Sequence, residues 1–529
     1  MTALQPSRRA GGRAFARKSV EALQHDANSH GLKRTLGPFN ILFLGVGCII
    51  GAGIYVMTGN AAANFAGPAV VLSFVLAGCA CALTALCYAE LASTMPVSGS
   101  SYSYCYATLG EVFAWILGWL LMLEYGLAGA TLALGFSGYF TSLLGDLGVH
   151  IPAALSTPYI QSLVSPHGAV FSITGDFNLV AALAVMVVTV ILTLGVTESA
   201  FVNNLIVTIK TTVLAAFVVV GISAVHPHNW TPFIPPNQGG FAYGWQGVLR
   251  AASILFFAYL GFETVSTAAS EAKNPQRDIP IGILGSLAVC TVIYIIVSAV
   301  LTGIVPYREL GVPDPIAVAV DRMGRPQFAL VVKLGALMGL SSVLLVNGYG
   351  QSRVAFAMAR DGLLPKAFCA LHGRLRTPWI GTILLGVICA VAAACLPITL
   401  LGDLVSLGTG LAFSIVCLSV MWLRSARPDL PRPFRVPLGG LWVGKVWIGV
   451  VPVAAIVLCW AMIVPVALDL VHQALIGNVT PVVILTVYAL AGAAIYMGYG
   501  LRASRPPLAQ IASELEGPGP LSPPRPAGD

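Results

Sequence analysis

Between residues 38 and 500 the chain is a succession of apolar runs, each near the roughly 20 residues a helix needs to cross a bilayer. Twelve can be marked, at about 38–62, 68–95, 110–144, 177–196, 200–224, 247–270, 281–305, 328–358, 380–398, 402–424, 447–468 and 479–500. Only 9% of the residues are charged, against about 25% in soluble domains. So few charges cannot coat a soluble fold. The expected class is therefore an all-α membrane protein with lipid as its main solvent.

The cations that remain are unevenly placed. None lies between Gly145 and Gly175 or between Ser223 and Phe241. They gather in the N-terminal tail, in the stretch from Arg353 to Arg376, and in the group Arg424, Arg427, Arg432, Arg435 and Lys445. Cationic loops stay cytoplasmic, and an even number of spans returns the C-terminus to the side of the N-terminus. Both termini are thus expected inside, in a plasma (bacterial inner) membrane. The loop after the seventh run departs mildly, with Arg308, Arg322 and Arg325 offset by Glu309, Asp314 and Asp321. Because the charge borders membrane spans, the net +7 is no sign of a nucleic-acid partner.

Residues 1–37 and 501–529 read as a basic tail and a Pro-, Gly- and Ser-rich disordered tail. The first apolar run is a full span and not a cleavable signal; an Arg-rich, acid-poor start also fits a transit peptide. The eleven Cys fall mostly inside apolar runs and show no metal-ligand spacing, so they read as small buried hydrophobes. No metal, cofactor or obligate protein partner is expected.

Two runs are interrupted. The first holds Gly45, Gly47, Gly51 and Gly53 within nine residues, and glycine costs about 1 kcal/mol relative to Ala in a helix interior. The sixth carries Gly261 beside Glu263. Paired interruptions at corresponding places in two halves are the best sequence pointer to a transport site. Residues 38–224 and 247–424 would then be inverted five-helix repeats, with 447–500 outside them. Close packing of small residues explains the first run alone equally well. An unwound segment offers N–H groups for a carboxylate and carbonyl ends for an ammonium. Two facing breaks make a receptor for an amino acid from main chain.

The run Ile49-Ile50-Gly51-Ala52-Gly53-Ile54-Tyr55 resembles the glycine signature of the amino acid-polyamine-organocation superfamily. Phe256-Phe257-Ala258-Tyr259-Leu260-Gly261-Phe262-Glu263 resembles its cationic amino acid transporter branch, as do Ala357-Met358-Ala359-Arg360-Asp361-Gly362 and Pro431-Arg432-Pro433-Phe434-Arg435. The resemblance covers about residues 33–500 and is to the bacterial twelve-span type. It implies a five-plus-five inverted-repeat fold with helices 1 and 6 broken, and secondary amino acid transport. It places substrate contacts at Ile49, Gly51, Ala52, Gly53, Phe257, Ala258 and Leu260. Ala52 stands where many members carry Thr or Ser, so a hydroxyl contact is lost. Glu263 stands where Asp is common.

Lys210, ten residues into the fifth run, costs about 2.5–3.5 kcal/mol on insertion scales. It is either a structural ion pair or a proton carrier. The resemblance favours the latter: a lysine ammonium in place of a sodium ion, contacting carbonyls near Val46 and Gly47 with Ser341 or Ser342. Glu124, in the third run, fits cation recognition, proton relay or structural hydrogen bonding. Asn347 fits a pocket wall or an interhelical hydrogen bond. Glu90 and Glu198 read as interfacial, Ser98 to Tyr102 as a loop, and Trp115, Trp119, Trp245 and Trp447 as packing or interfacial aromatics. His226 and His228 read as solvated.

The expectation is a proton-coupled amino acid symporter working by alternating access. An amino acid or polyamine exchanger and a non-transporting sensor are the alternatives. A membrane enzyme is disfavoured, because no nucleophile–base or metal-ligand set lies inside the runs.

Overall fold

The computed structural model describes Arg17 and residues 36–96, 100–165, 168–195 and 200–504. The first apolar run begins as α1 (Pro38–Ile49), led in by Pro38 at a position where its missing N–H costs nothing. After a break the chain resumes as α2 (52–66), which contains two π-type turns. Gly67 then reverses the chain at φ +61°, a conformation that suits glycine, and α3 (Val70–Thr94) follows. A short α4 (Ser100–Thr108) leads to the long α5 (Glu111–Asp146). The segment from Ser100 is thus helical where a loop was expected, while Ser98 and Gly99 lie outside the described residues.

A hairpin, β1 (Ile160–Ser165) and β2 (Gly168–Ile173), precedes α6 (Leu179–Leu194) and α7 (Ala200–Gly221). The sixth run forms α8 (Gly244–Leu255) and then breaks. Helices α9 (Pro275–Ile304), α10 (Pro315–Arg322), α11 (Pro326–Arg360), α12 (Trp379–Cys395) and α13 (Ile398–Ala426) come next. A second hairpin, β3 (Gly440–Val443) and β4 (Val446–Gly449), leads to α14 (Val450–Leu475) and α15 (Thr480–Ile495).

Among the described residues, nine helical stretches are long and apolar enough to cross a membrane. One of these, Pro38–Thr94, is 57 residues long. At about 1.5 Å per residue it would far exceed a bilayer core of about 30 Å, and the turn at Gly67 divides it. Helices α6 and α12 are apolar but shorter, with 16 and 17 residues.

The packing falls into two groups. Helix α9 lies along α3 and α1, and α8 lies along α3. Separately, α5 lies along α11, and α12 along α6 and α5. Helix α7 touches α1 and α11, bridging the groups. The apolar expectation for Trp115 and Trp119 also has a partner: they stack in a ladder with Tyr488 and Tyr496 that fastens α5 to the end of the chain.

Candidate functional site

The break in the first helix is local and sharp. Helix α1 ends at Ile49, where Ile50 turns to an extended ψ of 93° while its N–H still bonds the Val46 carbonyl at 3.0 Å. Helical geometry resumes at Ala52, and the Tyr55 N–H reaches the Gly51 carbonyl at 3.2 Å. The interruption is thus centred on Ile50–Gly51, and Ala52 and Gly53 form the first turn of the second half. First-turn N–H groups have no partner within their helix, so this end faces the gap with free donors.

The sixth run breaks in the same way. Helix α8 tightens into a 3₁₀ turn (Phe256–Tyr259), Leu260 turns extended, and Gly261 takes φ +119°. A 3₁₀ segment, Glu263–Ser270, follows. The Glu263 carboxylate holds the turn by accepting the Gly261 N–H at 2.8 Å. This is a local contact with the backbone of the turn.

The two breaks touch. A Cβ on Gly53 would sit 2.4 Å from Ala258 Cα, and a Cβ on Gly261 would sit 2.8 Å from the Cys48 carbonyl. Residue 53 opposite 258, and 48 opposite 261, describe two segments crossing in opposite directions. The glycines thus do both jobs weighed for them in the sequence. Gly45 and Gly47 are packing positions, against Ser286 and Val207, whereas Gly53 and Gly261 allow the breaks to meet. Ile49, Ala52, Phe257, Ala258 and Leu260 are all buried at this junction. The Tyr294 hydroxyl of α9 lies 2.7 Å from the Ile49 carbonyl and 3.0 Å from that of Ala258.

Lys210 enters from α7 and is fully buried. Its Nζ donates to the Gly47 carbonyl and, at 3.0 Å, to the Ile50 carbonyl. The Ile50 carbonyl belongs to the turn where α1 ends, so the ammonium sits at the break itself. Gly339 on α11 leaves room for the lysine stem, with its Cβ position 3.6 Å from Lys210 Cδ. The hydroxyls of Ser341 and Ser342 donate to Leu337 and Gly339 of their own helix.

Around Gly51 the walls are apolar: its Cβ position lies 3.1 Å from Val343 and 3.3 Å from Leu132. Asn347, also buried, stands one turn along α11 from Val343 and on the same face. Glu124 is fully buried on α5, and among the described residues neither carboxylate oxygen has a hydrogen-bond partner. Thr409 and Ser406 on α13 are likewise buried with unpaired hydroxyls.

These features make a candidate site from helix ends, with the buried Lys210 ammonium and the buried Glu124 and Glu263 carboxyls beside it. Residues 36–494 match the profile of the amino acid permeases. The chain belongs to the amino acid permease family. Its relatives include a methylthioribose transporter of Bacillus subtilis, 44% identical over 450 residues, which are 85% of this permease and 92% of that protein. A branched-chain amino acid permease of the same organism, BcaP, is 41% identical over 496 residues, 93% and 99% of the two chains. A vacuolar cationic amino acid transporter of Arabidopsis thaliana is 37% identical over 414 residues, 78% and 66%. The permease is a transporter and not an enzyme.

Sequence reasoning missed a buried ionic group. Arg250 on α8 donates from one guanidinium nitrogen to both Asp403 oxygens at 2.8 Å, and to Asp469 at 2.9 Å. The rule that singled out Lys210, an ionisable residue inside an apolar run, applies to Arg250 and Asp403, whereas Asp469 follows the eleventh run by one residue. It also applies to Lys333, which pairs with Asp146 at 2.6 Å and Asp321 at 2.8 Å. Glu90, close to the end of α3, is buried and fastens Arg424 and the Val436 N–H of the loop after α13. Glu198 lies outside the described residues.

The contact between Gly53 and Ala258 makes a prediction about this permease. Gly53→Ala meets backbone that cannot give way, and overpacking costs about 1–3 kcal/mol. Substrate affinity is expected to fall about tenfold, or about 1.4 kcal/mol, as the breaks are forced apart. Gly51→Ala meets only side chains and should lose less. Equilibrium binding to both purified variants checks this ranking; equal losses would separate the Gly53 contact from the site.

Proposed function

We propose that the permease is a proton-coupled symporter of neutral L-amino acids. In this reading the carboxylate of the substrate meets the free N–H groups at the start of α2, and its ammonium meets the carbonyls around Ile49 and Ala258. The observation that carries the coupling is Lys210, whose ammonium holds the Gly47 and Ile50 carbonyls at the break itself. Losing a proton there would loosen the end of α1, so that protonation and the shape of the site are linked.

Twelve spans follow when the turn at Gly67 is counted and the shorter α6 and α12 are included. Residues 38–224 and 247–424 then form inverted repeats, with both termini cytoplasmic in a plasma (bacterial inner) membrane. The two packing groups are consistent with one bundle, α1, α3, α8 and α9, rocking against the remainder to give alternating access. Lys210 needs no metal or other cofactor in this scheme.

Apolar walls at Leu132 and Val343, together with the BcaP likeness, favour an aliphatic side chain. The likeness to a methylthioribose transporter supports a second reading, in which the ligand carries no charges. A thermal-shift screen across the common amino acids and methylthioribose separates the two. A ligand at about 100 times its Kd stabilises by about 2.7 kcal/mol. Valine, leucine and isoleucine are expected to raise the melting temperature, with arginine and lysine having little effect. A shift with methylthioribose alone would overturn the amino acid reading.

A further inference from the structure

A cavity of about 430 Å³ has none of the residues of the two helix breaks in its lining. Its walls come from the end of α2, the later part of α5, the segment before α6, the loop before α10 and the start of α13. The lining is unusually polar for this chain and includes Asn60, Ser137, Thr141, Gln161, Asp314 and Thr399. The hydroxyls of Thr141 and Thr399 have no hydrogen-bond partner.

The walls are built, not incidental. Asn178 caps α6 by accepting the Ala181 N–H, accepts the Ser137 hydroxyl at 2.9 Å and donates to the Ser156 carbonyl at 2.8 Å. One side chain thus ties the segment before α6 to α5 and to the start of α6. Gly138 lets the loop approach α5, its Cβ position lying 2.8 Å from Pro313 and 3.4 Å from Asp314 Cβ.

Asp314 is the charge in this lining. Among the described residues it has no ion-pair partner, since the nearby Lys333 is held by Asp146 and Asp321. Burial raises its carboxyl above the ordinary aspartate range, and Lys333 acts in the opposite sense. A half-buried carboxylate with no ion-pair partner of its own gains from a cation that brings N–H donors.

We propose that this cavity is a second amine-binding site, a vestibule in which the ammonium group of an arriving amino acid pairs with Asp314 before reaching the helix breaks. The proposal rests on the transport reading for its purpose, but its chemistry is separable from it. The vestibule concentrates amines at the mouth of the pathway, and the central site then reads both α-groups.

Thiol labelling of the full chain tests this directly. Thr399→Cys, and Gln161→Cys as a second position, are made in a background with Cys79, Cys369 and Cys395 replaced by Ser, since these native thiols are not fully buried. Membrane-impermeant methanethiosulfonates carrying trimethylammonium or sulfonate are applied from outside. The cationic reagent is expected to react about tenfold faster, after correction for their rates with free thiol, because a charged cleft concentrates its counter-ion. Ethylammonium should slow it, and Asp314→Asn should abolish both effects. Equal rates, a preference that survives Asp314→Asn, or no labelling at either position would overturn the proposal. Labelling is read on the protein whether or not it carries substrate, so failed proton-driven uptake would sink the transport reading and leave this result standing.

Discussion

Proteoliposomes carrying the Lys210→Ala permease show no amino acid accumulation when an inward proton gradient is imposed. The expectation rests on two bonds. In the wild type the ammonium holds the Gly47 and Ile50 carbonyls, which flank the turn where α1 ends. Alanine leaves those acceptors without their donor and removes the group that can gain or lose a proton. Substrate exchange across the membrane without a gradient should persist at a reduced rate, since the helix-end receptor remains. Accumulation that survives the substitution and collapses on adding an uncoupler would place the coupling proton elsewhere. Lys210→Arg sharpens the test, because a guanidinium keeps the positive charge and does not release its proton in proteins. It should support binding but not accumulation.

The second large effect is on folding. Arg250→Met leaves Asp403 and Asp469 facing each other in the interior without their cation. Breaking a buried pair by removing one partner costs about 3–5 kcal/mol, mainly through the charge left behind. The loss should appear as a lower thermal midpoint for the detergent-solubilised protein. Replacing all three by apolar residues, Arg250→Met with Asp403→Leu and Asp469→Leu, should recover most of it, because the desolvation penalty disappears with the charges. If the triple variant is as unstable as the single one, the group stabilises through shape and not through charge. The recovered protein also allows a functional reading. Arg250 sits on the half-helix leading into the second break, and its partners sit on α13 and α14. Stability restored with transport still lost would make the group a link between those helices.

The class of fold was legible because lipid imposes a simple length rule on apolar runs, and the interrupted helices were legible because glycine is costly in a helix. The partners of these features were less so. That Gly47 packs against Val207 while Gly53 meets Ala258 depends on which helix lies alongside, and one sequence carries no record of that. Lys210 stood out because it lies deep in its run. Arg250 passed unnoticed because it lies near the start of the sixth run, where a cation is ordinary. Its two aspartates follow 153 and 219 residues later. The vestibule was hidden for a similar reason. Asp314 looked like one of three acids offsetting three loop cations, and only the fold takes it away from them.

Tyr294 has one phenolic proton within reach of two carbonyls, one from each broken helix. A single donor cannot serve both acceptors fully at once, so the junction carries a surplus of lone pairs. An ammonium group supplies the missing donors, whereas a carboxylate or a plain hydrocarbon does not. In the proposed binding mode, selection of the α-amino end reduces to counting protons across a crossing of two main chains. In that binding mode main chain meets the α-amino end, while Leu132 and Val343 are left to meet the side chain that arrives.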